Sequence, residues 1–250
     1  MIFKQLFEPD SSTYTYLVAC PDTGECALID PVLDTAERDL SVLQSLNLKL
    51  TYTIDTHIHA DHLSGARRLK TLIGSKIAYP AIDELPCADI GLQEGTPFRI
   101  GNIELHPLFS PGHTDHHHAY LMHTPVHSML FSGDALMIDG VGRTDFQSGD
   151  SATLYKSIQQ KFFTLPDETL VYPAHDYTGR RITTIAQEKA RNKHIGGKTL
   201  EEFIETMDNL DLPYPRKIDF AVPGNQKCGE CPANVPEQYR GSCARFDQGD

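Results

Sequence analysis

The stretch TIDTHIHADHLSG, residues 53–65, places His57, His59, Asp61 and His62 within six positions, straight after a strand-like apolar run. Imidazoles and a carboxylate crowded this closely desolvate and repel one another unless a positive centre sits among them. A metal ion is the centre that fits. Side chains at i and i+2 of an extended segment point the same way, so His57 and His59 can share one ion. Asp61 and His62 are neighbours that would diverge in a strand. They belong on a turn or helix start and address a second position.

The remaining ligands follow one pattern. An apolar run ends in a tight turn and delivers a donor: LTYTIDTH gives His57, LHPLFSPGH gives His113, SMLFSGD gives Asp134 and TLVYPAH gives His175. Strand ends that share one sheet edge converge their side chains, and the turns before each ligand let it project there. These imidazole and carboxylate donors, with no thiolate, suit Zn(II), Fe(II) or Mn(II). The tract DHHHA, with His116, His117 and His118, lies just beyond His113. In a strand these three alternate in direction and cannot all face an ion, so their role stays open. His106, His123, His127 and His194 are read as ordinary surface or core residues.

These ligands need a frame. TYTYLVACPDTGECALIDP reads as a hairpin turning at Pro-Asp-Thr-Gly. Ala36, Leu40, Leu43 and Leu46 recur at helical spacing behind an N-cap at Asp34 or Thr35. KLTYTIDT is then a strand, LSGARRLKTLIG a helix, and FRIGNIELHPLF a hairpin turning at Gly101-Asn102. SATLYKSIQQKFF and ITTIAQEKARNK read as helices, and TLEEFIETM opens with a capping box from Thr199 to Glu202. Strands alternating with helices, together with hairpins, give an α/β fold with mixed sheets. The last ~30 residues, rich in Pro, Gly and Cys, read as an irregular surface tail.

At 250 residues the chain suits one large domain or a domain with an appendage. No stretch approaches the ~18 apolar residues of a membrane span, and the N-terminus carries no signal or transit pattern, so no membrane partner and a cytoplasmic location are expected. The net charge of −12 opposes nucleic-acid binding, including a nuclease function. Six cysteines do not make a disulfide scaffold. Cys20 and Cys26 are read as small apolar strand residues. Cys228-x-x-Cys231 and Cys243 are read as incidental surface thiols, with a redox pair, half a zinc site or a sulfur relay as alternatives.

THIHADH with His113, Asp134 and His175 resembles the metallo-β-lactamase superfamily, whose fold is an αββα sandwich. GDALMIDGVGRTDFQ (133–147), FTLPDETLVYPAHDYTGR (163–180) and LPYPRKIDFAVPGNQKCG (212–229) resemble the persulfide dioxygenases, the family of the ethylmalonic encephalopathy protein. The likeness covers nearly the whole chain. It implies an α/β metallo-β-lactamase sandwich over 1–180 and a short helical and irregular C-terminal extension over 181–250 packed on it. It further implies one Fe(II) per chain held by His57, His113 and Asp134, a facial triad with open positions. His59, Asp61, His62 and His175 would surround that triad and hold its ligands and waters. The implied reaction oxidises glutathione persulfide with O2 and water to sulfite and glutathione. Glutathione carries two carboxylates, for which Arg143 is the candidate partner, with an ion pair to Asp145 as its structural alternative. Tyr177 either lines the substrate or simply packs. The sequence departs from the family pattern in GHTDHHHAY, where Asp115 and His116 replace the Pro-Gly that often follows such a Gly-His-Thr. A dinuclear zinc thioester hydrolase like glyoxalase II is the rival, because it shares all seven ligand positions. A scaffold that has lost its metal is opposed by the intact ligand set. A homodimer is open as the oligomeric state.

Overall fold

The computed structural model describes residues 1–241 and Cys243. It divides into two compact units. One comprises Met1–Gly91, Ile100–Asn102 and the chain from Tyr214 onward; the other comprises Leu92–Arg99 and Ile103–Pro213. The extension expected over 181–250 falls in both, and residues 242 and 244–250 lie outside the described residues.

In the first unit, β1 (Ile2–Glu8), β2 (Thr13–Ala19), β3 (Glu25–Ile29), β4 (Lys49–Ile54), β5 (Lys76–Pro80) and β6 (Ile90–Leu92) form a sheet in that order. The β1–β2–β3 pairings are antiparallel and the β3–β4–β5 pairings parallel. The parallel steps are bridged by α1 (Ala36–Ser45) and α2 (Ala66–Ile73). Leu43 and Leu69, from these helices, pack with Leu17, Leu28 and Leu50. Thr35 stands at the N-cap of α1 without a side-chain hydrogen bond to it, and a short 3-10 turn, Leu33–Thr35, leads into the helix.

In the second unit, β7 (Phe98–Ile100), β8 (Ile103–Phe109), β9 (His118–His123), β10 (Ser128–Gly133), β11 (Leu170–Pro173) and β12 (Thr183–Thr184) make the other sheet, also in chain order. The β10–β11 pairing is parallel and the β8–β9, β9–β10 and β11–β12 pairings antiparallel. The helix α3 (Ser151–Ser157), continued by a π turn over Ile158–Phe162, lies in the parallel crossover. It shares a core of Leu130, Leu154, Phe162, Val171 and Phe203 with α4 (Ile185–Arg191) and α5 (Leu200–Asp208). The capping box at Thr199 and Glu202 is formed in both directions.

Two expectations fail at the C-terminal end. IDFAVPGN is a helix, α6 (Ile218–Asn225), with Pro223 inside it. Phe220 and Ala221 are buried with Leu33, Leu63 and Val235, so tertiary packing overrides the proline. The segment is core, not a surface tail. The tail cysteines are not incidental thiols either: Cys87 pairs with Cys228 and Cys231 with Cys243. Cys20 and Cys26 stay outside disulfides and are buried, as small strand-end residues should be.

Candidate functional site

Asp30 follows β3 in the left-handed region, with φ +50°, and its carboxylate organises the loop after β4. Its Oδ1 accepts from the Thr56 amide at 2.8 Å and from His59 Nε2 at 3.0 Å. The Thr56 hydroxyl donates to the same carboxylate at 3.1 Å. With that proton committed, Thr56 Oγ1 accepts from His57 Nδ1 at 2.9 Å. His57 therefore presents the lone pair of Nε2, the tautomer a metal ligand needs.

His59 is wholly buried, and its Nδ1 has no hydrogen-bond partner among the described residues. That nitrogen lies 3.9 Å from Asp61 Oδ1. Burial pushes the His59 pKa down, but Asp30, Asp61 and Asp55 overturn this and raise it to about 9. Burial also lifts Asp55 to about 7, against the pull of His59. This pocket favours a cation, whether a proton or a metal, beside its carboxylates. Asp61 Oδ2 in turn accepts from His62 Nδ1 at 2.9 Å.

In the second unit, three strand ends bring His113, Asp134 and His175 together. His113 Nε2 lies 3.5 Å from Asp134 Oδ2, and His175 Nε2 lies 3.5 Å from Asp134 Oδ1. His113 Nδ1 donates to the Arg143 carbonyl at 2.7 Å, which again leaves Nε2 with the lone pair. The Gly142 amide donates to the Asp134 carbonyl at 2.7 Å. A Cβ on Gly142 would stand 2.5 Å from that carbonyl oxygen and 2.7 Å from His113 Nδ1. Only glycine lets the Gly142-Arg143 backbone grip both residues. Beyond His175, the Asp176 carboxylate accepts from the Thr178 and Arg180 amides and from the Arg180 guanidinium, which closes the turn.

Histidines with one nitrogen tied to an acceptor and the other carrying a lone pair, beside carboxylates, suit a divalent cation. The tied nitrogens and the buried His59 Nδ1 are observations that fit one.

Arg143, read from the sequence as a partner for a glutathione carboxylate, makes the ion pair that was its structural alternative. Its Nε and Nη2 meet the two Asp145 oxygens at 2.6 and 2.7 Å, and Nη1 donates to the Pro213 carbonyl at 2.8 Å. It also lines a cavity of about 410 Å³ with Thr144, Asp145, Ser151, Met207 and Leu210. Tyr177 is 72% exposed and stacks on the His175 ring at 6.0 Å.

Sequence reasoning missed four residues. Asp30, Thr56 and Asn225, whose amide spans the loop after His59, carried no signal. His117, one of an apparently idle triplet, is fully buried. Its Nε2 accepts from the Asp134 amide at 3.2 Å, and its Nδ1 meets Ser110 Oγ at 2.9 Å. Its ring stands edge-on to His113 at 6.2 Å. The i+4 spacing from His113 was the one available clue.

Comparison with known proteins gives a consistent answer. Residues 9–175 match the model of the metallo-β-lactamase superfamily. Persulfide dioxygenase ETHE1 of Mus musculus is 45% identical over 230 residues, 92% of this chain and 89% of the mouse protein. The crystal structure of ETHE1 from Myxococcus xanthus superposes with a TM-score of 0.88 at 46% identity, covering 92% of this chain and all of that one. A hydroxyacylglutathione hydrolase of Rhodospirillum rubrum is 37% identical over 193 residues, 76% of this chain and 73% of its own. The two mixed sheets with their helices are the metallo-β-lactamase fold, and the chain belongs to the persulfide dioxygenase family of that superfamily.

Proposed function

We propose that the chain is a mononuclear Fe(II) persulfide dioxygenase that converts glutathione persulfide, O2 and water to glutathione and sulfite. The balance is RSSH + O2 + H2O → RSH + SO3²⁻ + 2H⁺. His57, His113 and Asp134 would hold the metal, two imidazole nitrogens and a carboxylate being a donor set for ferrous iron. When bound, ferrous iron supplies the redox chemistry that lets O2 react with a closed-shell persulfide sulfur.

The chain's own residues do the positioning. Asp30, through Thr56, fixes the His57 ring, and the Arg143 carbonyl fixes His113. His59, Asp61, His62 and His175 would orient water and balance charge around the metal. Arg143 would face a glutathione carboxylate, which must share the guanidinium with Asp145, and Tyr177 would line the substrate beside His175. No nucleic-acid partner is proposed for so acidic a chain, and a cytoplasmic, dimer-forming enzyme is the form we propose.

One observation carries this reading. The run Gly142–Gln147, the piece of sequence most particular to the dioxygenase likeness, is wired through Gly142 and Arg143 into His113 and Asp134. One feature favours the rival: the buried His59 Nδ1 beside Asp61 could serve a second metal, as a dinuclear hydrolase requires. Metal analysis of anaerobically purified protein, with O2 uptake on adding glutathione persulfide, separates them. About one iron per chain and persulfide-dependent uptake is the expected result. Two zincs, no uptake and glutathione thioester hydrolysis would install the rival.

A further inference from the structure

Asn225, the last residue of α6, is wholly buried. Its Nδ2 donates to the carbonyls of His59 at 2.9 Å and His62 at 2.8 Å, and its Oδ1 accepts from the Ser64 amide at 2.8 Å. One side-chain amide thus spans the backbone of the histidine-rich loop. The chain then turns tightly. The Cys228 amide donates to the Asn225 carbonyl at 2.9 Å, and the Arg67 amide donates to the Cys228 carbonyl at 3.0 Å. Gly229, at φ +88°, approaches the Ser64 carbonyl so closely that no side chain fits there. Cys228 itself sits at φ +59°, a conformation that costs a non-glycine residue about 1 kcal/mol or more unless its surroundings enforce it.

The Cys87–Cys228 disulfide supplies that enforcement, joining the turn to a segment 141 residues away. Cys228 is buried, whereas Cys87 is only half-buried, so the Cys87 side is the one from which the bond can be approached. The second disulfide, Cys231–Cys243, ends at a buried Cys243 within the Phe220 cluster.

We propose that Cys87–Cys228 is a thiol–disulfide exchange site for low-molecular-weight thiols and persulfides, and that its state sets how firmly Asn225 grips the His59–Ser64 loop. Opening starts when a thiolate attacks the Cys87 sulfur and the bonding pair leaves on Cys228, which takes a proton. A second thiolate attacks the added sulfur, which frees Cys87 as a thiol and releases the small-molecule disulfide. Two thiols are oxidised and one protein disulfide is reduced. Closing uses persulfide as the oxidant. The Cys87 thiolate takes the outer sulfur of RSSH and releases RSH; Cys228 then attacks Cys87 and expels sulfide. In sum, two protein thiols and one RSSH give one protein disulfide, one RSH and one hydrogen sulfide.

The closing route rests on the persulfide reading of the function, since it uses that substrate; the opening route does not. Thiol and persulfide are the product and the substrate of the proposed reaction, so the bond reads their ratio beside the ligand loop. A persulfide-rich solution tightens the loop and a thiol-rich one loosens it.

The test uses metal-loaded protein equilibrated in buffers of reduced and oxidised glutathione. Exposed thiols are alkylated, the 87–228 and 231–243 linkages are mapped by mass spectrometry, and metal loss to excess chelator is timed. The 87–228 bond should open while the protein stays folded, and metal loss should quicken about tenfold, the scale on which groups behind metal ligands act. Cys87→Ser should show the fast loss without thiol and should ignore added thiol, which separates loop loosening from chelation by glutathione. Amide exchange over residues 57–64 should rise in parallel. A bond that opens only on global unfolding, or opens with metal loss and amide exchange unchanged, overturns the proposal. On metal-free, thiol-opened protein, one equivalent of glutathione persulfide should reclose the bond and release one of sulfide; no reclosure overturns the closing route. Absence of persulfide-dependent O2 uptake by the loaded enzyme would instead sink the dioxygenase reading and leave the thiol result standing.

Discussion

In the first unit, the imidazoles of His57 and His59 are held by charge: the buried Asp30 carboxylate binds one directly and the other through Thr56. In the second unit, His113 and Asp134 are held by neutral groups, namely the Arg143 carbonyl, the Gly142 amide and the His117 ring. Hydrogen bonds to charged groups contribute about 1.5–3 kcal/mol and neutral ones about 1 kcal/mol. The contrast follows from chain geometry. A single loop brings three histidines to one place, and acidic groups offset their charge. The three separate strand ends set one carboxylate, Asp134, between two histidines and are aligned by backbone contacts that tolerate little change in shape. The first half should therefore fail through charge and the second through sterics.

Gly142→Ala is the strongest break on the steric side. The added methyl has no room between Asp134 O and His113 Nδ1, so metal content should fall to background and the melting midpoint should drop by a destabilisation of about 3 kcal/mol. Elemental analysis and a thermal melt read both effects. Asp30→Asn tests the charged half without changing shape, since Asn tolerates positive φ. Its amide nitrogen or a reduced acceptor must face the Thr56 and His59 donors. Metal affinity measured by chelator competition should fall about 10- to 100-fold, with the fold kept.

Arg143→Ala separates backbone from side chain. The carbonyl that holds His113 remains, so metal content should stay at wild-type level while KM for glutathione persulfide rises about tenfold, the cost of one charged hydrogen bond. Loss of metal would show that the guanidinium also supports the ligand geometry. Smaller again, His117→Leu should weaken metal binding several-fold, roughly the ~1 kcal/mol of one neutral hydrogen bond. His117→Gln, which keeps an acceptor for the Asp134 amide, should restore most of it. Equal losses in both variants would mean that ring packing matters and the hydrogen bond does not.

The smallest effect lies away from the site, at Asp39, another of the first unit's buried acids. Burial raises Asp39 to about 6, with Arg38 opposing. A folded-state value above the unfolded one means that the native protein binds the proton more tightly. Stability contributed by this group is present below pH ~4 and is lost as pH rises towards about 6. Asp39→Asn should therefore gain about 1 kcal/mol over wild type at pH 7.5 and less at pH 5, as read by urea unfolding. A constant difference would show that Asp39 keeps its charge when folded at little cost.

The histidines and the aspartate that meet in the candidate site were legible because His57, His113, Asp134 and His175 each follow an apolar run and a turn, a pattern local enough to read from sequence. Both hairpins, α2 and the Thr199 capping box were legible for the same reason. What holds the ligands was not. Asn225 lies 161 residues from Ser64, and nothing in its neighbourhood announces that partner. Cys87 and Cys228 lie 141 residues apart, and six cysteines allow many pairings. Pro223-Gly224 disguised a helix whose formation depends on burying Phe220 and Ala221. His117 was hidden by adjacent histidines that share its type and not its place: His116 is half-buried, while His117 is wholly enclosed.

The stacking of Tyr177 on His175 has an optical consequence. The chain contains no tryptophan. Tyr177 is largely exposed, so Tyr177→Trp would introduce a sole indole fluorophore without disturbing the core, parallel to the His175 imidazole. Its emission would arise against a background of tyrosine alone, and quenching by a bound metal or a passing substrate would report events at the site in real time.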